Sequence, residues 1–539
     1  MYKGGVASER QLTASGKRFA IATPHTAATE AGARAFEAGG NAIDAALAAA
    51  VTLAVVYPHM CGVGGDLFAL VQESDGRTIA LNASGAAPLA IDAEALRGSH
   101  DSMPTHGPLA VTVPGAVSGW AALAKLGADL RFERAFDEAI RMAREGVPVA
   151  PSLAATLALE RNRLVTDPGL LTTFFREGAP LAQGDSFLQP ALAETLEAIA
   201  RKGAKVLYGG RVGERLVAGL RVLGSPIAVG DLAGHAAELN SAIEGRYRDL
   251  HVSVVPPNSQ GFALLEILAT VERLGIDPNP LGRDAGVLAR VFEAVSTDRD
   301  RHNADPRFAR VPVGTLLDEG HIAGLCDQVR GASNGGTDGL SNDSPLRRPS
   351  GDTIALVTAD GSGRAVSLIQ SLYDAFGSGI LEPSTGIVLH NRGSAFSLDP
   401  PSPNFLAGGK RPAHTLMPVL VHRDGRLAAV SGSMGGGAQP QINFQTLARI
   451  FDLGMEPAAA LGAPRWLVGG MELHADRFVE LEGLVPPEVR GALEARGYRL
   501  TVLGDLDEGV GHAHLIVARP DGTMEAATDP RADGEARAG

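Results

Sequence analysis

Between Pro24 and Pro58 the apolar positions do not alternate but crowd onto small residues, and the run Ala45 to Pro58 (AALAAAVTLAVVYP) is apolar almost throughout. That pattern predicts two alanine-rich helices divided by Gly39-Gly40, with Asn41 capping the second. The run is too short and too alanine-rich to span a bilayer, so it reads as a buried helix. The period then changes. GVGGDLFALV (Gly62 to Val71) and TIALNAS (Thr78 to Ser84) are β-like runs joined by the turn signal Asp75-Gly76, as in a hairpin or at a sheet edge. From about Arg131 to Leu274 helical spacing dominates, for example in LAETLEAIARKGAKVL (Leu192 to Leu207). Between Gly331 and Arg348 (GASNGGTDGLSNDSPLRR) no apolar period survives, which predicts an exposed, flexible loop over 331–350. Strand patterning returns at once in GDTIALVTADGSGRAVSLIQ, folded about Asp360-Gly361, and again in PVLVHRDGRLAAVSGS, folded about Asp424-Gly425. The second hairpin runs through Gly435-Gly436-Gly437 into the helical QPQINFQTLARIFDLG.

Composition narrows the class. At about 150 residues per domain, 539 residues would make three to four domains, a number that large α/β folds undercut. Aromatic residues are only 5% of the chain, so its core is built from Ala, Val and Leu, and 67 glycines call for many turns or close backbone approaches. A net charge of −13 argues against a nucleic-acid partner, which needs a basic footprint. Cys61 and Cys326 could form one disulfide at most, no framework for a chain this long, and the first residues lack the apolar stretch of a secretory signal. A soluble, cytoplasmic protein without membrane partners is the expectation.

Common catalytic signatures are missing. His512-Ala513-His514 has no HExxH or cysteine cluster beside it, so structural, hydrogen-bonded histidines are expected and no metal site is assigned. No G-x-S-x-G elbow occurs, and Gly432 to Gly437 match no phosphate-binding fingerprint. Glycines between a strand and a helix still leave backbone N–H groups free for an anion. Thr353 stands out by its position, first in a strand after Gly351-Asp352 and the long loop. If the Asp352–Thr353 bond were cut, its hydroxyl would become an N-terminal nucleophile beside its own base, an α-amine with an ordinary pKa of about 7.7–8.0. Taken alone, a threonine at a strand start is more often just a β-former.

The words around it carry more. TPH…AGGNAIDAA (Thr23 to Ala46), YPHMCGVGGDLF (Tyr57 to Phe68), VPGAVSGW (Val113 to Trp120), GDT (Gly351 to Thr353), FGSGI (Phe376 to Ile380), GKRPAHTLMP (Gly409 to Pro418), GSMGGG (Gly432 to Gly437) and ATDPRADGEA (Ala527 to Ala536) follow in order. Together they resemble the γ-glutamyltranspeptidase (glutathione hydrolase) family of N-terminal-nucleophile hydrolases over nearly the whole chain. The resemblance implies an α/β fold, a four-layer αββα sandwich made as one precursor that cleaves itself before Thr353. Residues 1–352 would form a large subunit and 353–539 a small one, associated after cleavage in one interlocked fold. It further implies that Thr353 carries the acyl group, that Gly435 and Gly436 present the oxyanion N–H groups, and that Ser371 replaces the family's threonine that hydrogen-bonds the nucleophile. No metal or organic cofactor is called for.

The substrate pocket departs from the family pattern. The arginine that grips an α-carboxylate after the N-A pair is Ser84 here, and the α-ammonium partners become Arg392 and Ala395. Tyr373 replaces an asparagine, and His414-Thr415 replace a serine pair. Exchanging an acid for Arg392 should repel an ammonium and attract a carboxylate, unless that arginine merely faces solvent or an internal carboxylate. The reading is therefore a self-processing amide hydrolase or acyltransferase acting through a Thr353 acyl-enzyme. Its substrate is either a γ-glutamyl amide or a dicarboxylic monoamide of the glutaryl or oxamate kind. The rival is a non-catalytic anion-binding protein that stays uncut. Lys410 could hold a substrate carboxylate, though a structural salt bridge is its commoner fate, and Cys61 reads as a buried small hydrophobe.

Overall fold

Asn41 fixes the start of the most buried helix. Its side chain accepts the N–H groups of Ile43 and Asp44, and the Asp44 carboxylate answers at the Asn41 N–H, a reciprocal cap that satisfies the orphan donors of the first turn. The apolar run behind it then forms a helix with every residue buried. In the computed structural model, which describes residues 10–331, 352–471 and 478–539, this helix is α2 (Ala42–Val56), preceded by α1 (Thr26–Glu37). Both lie where the spacing predicts them.

Fourteen strands form two antiparallel sheets of seven. They are β1 (Thr13–Gly16), β2 (Phe19–Thr23), β3 (Asp66–Gln72), β4 (Thr78–Ala83), β5 (Glu238–Ser241), β6 (Ile243–Tyr247), β7 (Leu250–Val254), β8 (Asp352–Asp360), β9 (Ala365–Tyr373), β10 (Val419–Arg423), β11 (Arg426–Ser433), β12 (Ala513–Ala518), β13 (Met524–Thr528) and β14 (Glu535–Ala538). One sheet has the order β1-β13-β12-β11-β10-β7-β6, the other β14-β2-β8-β9-β3-β4-β5. Successive side chains on a strand point to opposite faces, and β8 divides accordingly. Ala355 and Val357 join Ile369, Leu420, Val430 and Ile516 between the sheets, while Ile354 and Leu356 join the outer core with Val51 and Val55 of α2. On the far side α3 (Gly261–Leu274) and α6 (Gln439–Phe451) cover the other sheet, with α4 (Ala285–His302) and α5 (Glu319–Gly331) packed against α3 and each other. The result is the expected four-layer αββα sandwich.

The β3–β4 hairpin forms as expected, but inside its sheet rather than at an edge, because β5 pairs outside β4. The helical spacing within Leu192 to Leu207 becomes a helix from Pro190 to Lys202 that stops where Gly203 takes φ +72°, a conformation costly for any residue with a Cβ. Of the expected loop, Gly331 ends α5, and 332–350 lie outside the described residues.

Candidate active site

β8 opens at Asp352, where its pairing with β9 shifts register: Thr353 faces Ser371, and Asp352 faces Tyr373. This bulge falls on the Asp352–Thr353 bond, and the skipped residue, Leu372, donates its N–H to the Met60 carbonyl instead (2.9 Å). Three hydrogen bonds then converge on one hydroxyl. Thr353 Oγ1 donates to Ser371 Oγ (2.9 Å), the Tyr373 N–H donates to it (2.7 Å), and Ser371 Oγ donates to the Asp352 carbonyl (2.8 Å). Ser371 thus connects the hydroxyl expected to attack with the carbonyl it would attack. Tyr373 holds φ +80°, a strained value for a non-glycine residue, at the end of the same strand. Thr353 is only 2% exposed. Burial pushes the Asp352 carboxyl up to about 8, Asp374 and Glu160 add to the rise, and Arg163 opposes it.

The glycine turn follows β11 across the sandwich. Ser367 Oγ donates to the Ser431 carbonyl (2.7 Å), and Gly432 packs against Ala355 and Ile369, so β11 advances toward the Thr353 end of its neighbours. Gly435 and Gly436 then take φ +144° and +50°. Among the described residues neither N–H has an acceptor. The carbonyls are held: Gln260 Nε2 donates to Gly436 (2.9 Å) and to Thr415 (2.7 Å), and Arg299 Nη1 donates to Gly437 (2.6 Å). A turn whose carbonyls are pinned and whose N–H groups are free is suited to stabilise an oxyanion.

Arg392 is 1% exposed, so it does not face solvent; among the described residues it forms no ion pair, although the charges of Asp66 and Asp374 act on it from farther off. Nη1 donates to Thr415 Oγ1 (3.1 Å), Nη2 donates to the Ala413 carbonyl (2.5 Å), and Nε has no partner. The guanidinium stacks on Tyr373, 4.0 Å from the ring centroid. Burial lowers its pKa, but an arginine stays charged. Tyr373 also lines a cavity of about 400 Å³ together with Asp374, Ser394, Ala395, Arg299 and Asn303. His414 points elsewhere, with Nε2 3.1 Å from Asp66 Oδ2, and burial, then Arg392, bring it down to about 4, hence neutral at pH 7. Ser84 belongs to an amide network: its Oγ donates to Asn82 Oδ1 (2.7 Å), and Asn258 Nδ2 donates to Ser84 Oγ (3.2 Å). No cation stands in that network.

The remaining sequence candidates fall away. Among the described residues Lys410 makes no salt bridge; Nζ caps the Pro403 and Phe405 carbonyls at 2.6 and 2.9 Å. Cys61 is buried and its thiol is pushed up to about 12 by burial, and both cysteines are free. The histidine pair is buried but not fully hydrogen-bonded as expected: His514 Nδ1 meets Thr528 Oγ1 (3.0 Å), while among the described residues neither His512 nitrogen has a hydrogen-bond partner, Glu508 Oε1 standing 4.0 Å from its Nε2. Sequence reasoning missed Asn258, Gln260 and Arg299. The turn-rich PPNSQG word before an apolar helix is a readable signal for the first two, whereas Arg299 lies inside α4 and gives none.

A buried threonine heading a central strand of an αββα sandwich places the chain among the N-terminal-nucleophile hydrolases. The family model described as gamma-glutamyltranspeptidase matches residues 28–539, and the chain belongs to that family. It is an amide hydrolase or acyltransferase made as a self-processing precursor. The oxamate amidohydrolase proenzyme of Klebsiella pneumoniae is 38% identical over 95% of this chain and 97% of its own length. The glutathione hydrolase-like YwrD proenzyme of Bacillus subtilis is 34% identical, covering 97% and 98%. The crystal structure of a cephalosporin acylase from Bacillus halodurans superposes with a TM-score of 0.89 at 32% identity, covering 100% and 99%.

Proposed function

We propose that the chain cuts itself between Asp352 and Thr353 and then removes the acyl group from amides whose acyl part ends in a free carboxylate and carries no α-ammonium. Such substrates are dicarboxylic monoamides of the oxamate or glutaryl kind. In the first step Thr353 Oγ1 bonds to the Asp352 carbonyl carbon and passes its proton toward Ser371, which already donates to that carbonyl oxygen. The C–N bond breaks, the freed nitrogen takes a proton, and water hydrolyses the resulting ester. The new α-amine is the base for turnover, in which Thr353 takes the acyl group and water or an amine removes it. The N–H groups of Gly435 and Gly436 receive the oxyanion, a contribution of about 3–4 kcal/mol per donor.

The observation that carries the substrate choice is Arg392. A buried guanidinium that forms no ion pair among the described residues and has an unsatisfied Nε keeps a donor to offer an anion, and placing an ammonium beside it would add like-charge repulsion. The Klebsiella relative named for oxamate supports the same reading. Purified enzyme assayed with glutaryl anilide, N-phenyloxamate and γ-glutamyl anilide tests it. At least tenfold higher kcat/KM for one of the ammonium-free donors is expected. Faster γ-glutamyl turnover overturns the substrate assignment, and an uncut chain overturns the self-processing one.

A further inference from the structure

A second cluster of titratable side chains lies on the helical layer away from Thr353. Glu266 of α3, Asp298 of α4 and His321 of α5 each bring one ligand atom within 4.8 Å of the others. His321 Nε2 stands 2.8 Å from Asp298 Oδ2 and 3.4 Å from Glu266 Oε1. Glu266 is wholly buried, and among the described residues neither of its oxygens accepts a hydrogen bond. No described lysine or arginine pairs with Glu266 or Asp298. Arg299, next to Asp298 in sequence, is engaged by Asp300 and the Gly437 carbonyl. A dry carboxylate beside a second carboxylate therefore has one imidazole for company, and ionising it without a cation is heavily penalised.

We propose that Glu266, Asp298 and His321 form a binding site for a first-row divalent cation, of the zinc or manganese kind. Two carboxylates and a neutral imidazole balance a charge of +2, and the mixed N/O donor set suits these ions better than calcium or magnesium, which favour oxygen alone. Around a tetrahedral ion with bonds of about 2.0–2.1 Å, ligand atoms stand roughly 3.3–3.4 Å apart. The His321–Glu266 pair already has that separation. The His321–Asp298 pair must open by about half an ångström, and His321 is the partly exposed member, free to yield. The ligands lie 32 and 23 residues apart along the chain and match no motif, which is why sequence spacing passes over them. A bound ion would tie α5 to α4, the helix whose Arg299 holds the oxyanion turn.

Isothermal titration of the full-length, self-processed protein, stripped with a chelator and then given zinc chloride or manganese chloride, tests the site. One ion per chain is expected, bound at least 100-fold more weakly by Glu266→Gln and by His321→Ala. Cleavage into two fragments by both variants, seen on a denaturing gel, shows that they fold. Absence of saturable binding in the wild type overturns the proposal. So does binding that survives both substitutions, or a melting temperature that answers to pH but not to either cation.

Discussion

The Ser371 hydroxyl spends its one donor on the Asp352 carbonyl and both lone pairs on Thr353 and Tyr373, so only another hydroxyl can replace it there. Ser371→Ala should slow self-cleavage about 100-fold, the scale of losing one donor to a developing oxyanion, and Ser371→Thr should recover most of the rate. Fragment appearance on a denaturing gel over time measures both. Asp352 yields a pH test. Its folded carboxyl titrates near 8 and an unfolded one near 4, so between those values the folded chain holds the extra proton and loses stability as pH rises. In a Thr353→Ala background that stays uncut, Asp352→Asn should leave the melting temperature unchanged at pH 4 and raise it increasingly toward pH 8. Equal pH profiles would refute the buried-acid account. Arg392→Ala should cost about 10- to 100-fold in kcat/KM toward carboxylate-ended donors, the worth of a charge-assisted hydrogen bond, and little toward neutral acyl anilides. Thr353 is legible in the sequence by its place at a strand start after the long loop, and Ser371 through the family resemblance. The burial of Arg392 is not, because Tyr373, Ala413 and Thr415 enclose it from separate segments.

At the scale of elements, strands and caps were legible where the rule is local. Asn41 caps α2, and Asp424-Gly425 both take positive φ as a two-residue hairpin turn demands. The bulge at Asp352/Thr353 was not legible, because it arises from the pull of Met60 on Leu372 and the strained Tyr373, neither of which spacing can show. The same holds for the glycine turn, whose triple glycine is readable but whose shape is held by Gln260 and Arg299 from α3's start and α4. At Gly436 a Cβ would fall 2.5 Å from the Met471 carbonyl oxygen while φ is +50°. Gly436→Ala must therefore rotate the peptide that offers its N–H to the oxyanion. The expected outcome in steady-state assays is a kcat lower by about 10²- to 10³-fold with KM little changed. A loss confined to KM would assign the turn to substrate binding instead.

For the whole molecule, the proposed cut at Thr353 divides the strands without dividing the sheets. β1 to β7 fall in the 1–352 fragment with Asp352, the first residue of β8, and the rest of β8 through β14 falls in the 353–539 fragment, yet each sheet contains both sets, and β8 lies between β2 of one fragment and β9 of its own. The buried layer between the sheets joins Phe68 and Leu70 of the first fragment to Ile369, Leu420 and Ile516 of the second. Pulling the fragments apart would expose that entire layer and unpair three strand contacts: β2 with β8, β2 with β14, and β3 with β9 in one sheet alone. Neither fragment retains a complete sheet, so neither has a core of its own to fold around. The sequence resemblance conveyed this interlocking only through the family. Composition and periodicity have no way to say which strands are neighbours across the cut, because antiparallel pairing is set by side chains that meet only in the fold. The two fragments should accordingly co-elute on size exclusion in native buffer, separate only in denaturant, and unfold in one cooperative transition followed by circular dichroism. Expression of 353–539 alone should give insoluble protein. A soluble, independently folded small fragment would show that the sheets are not shared as described.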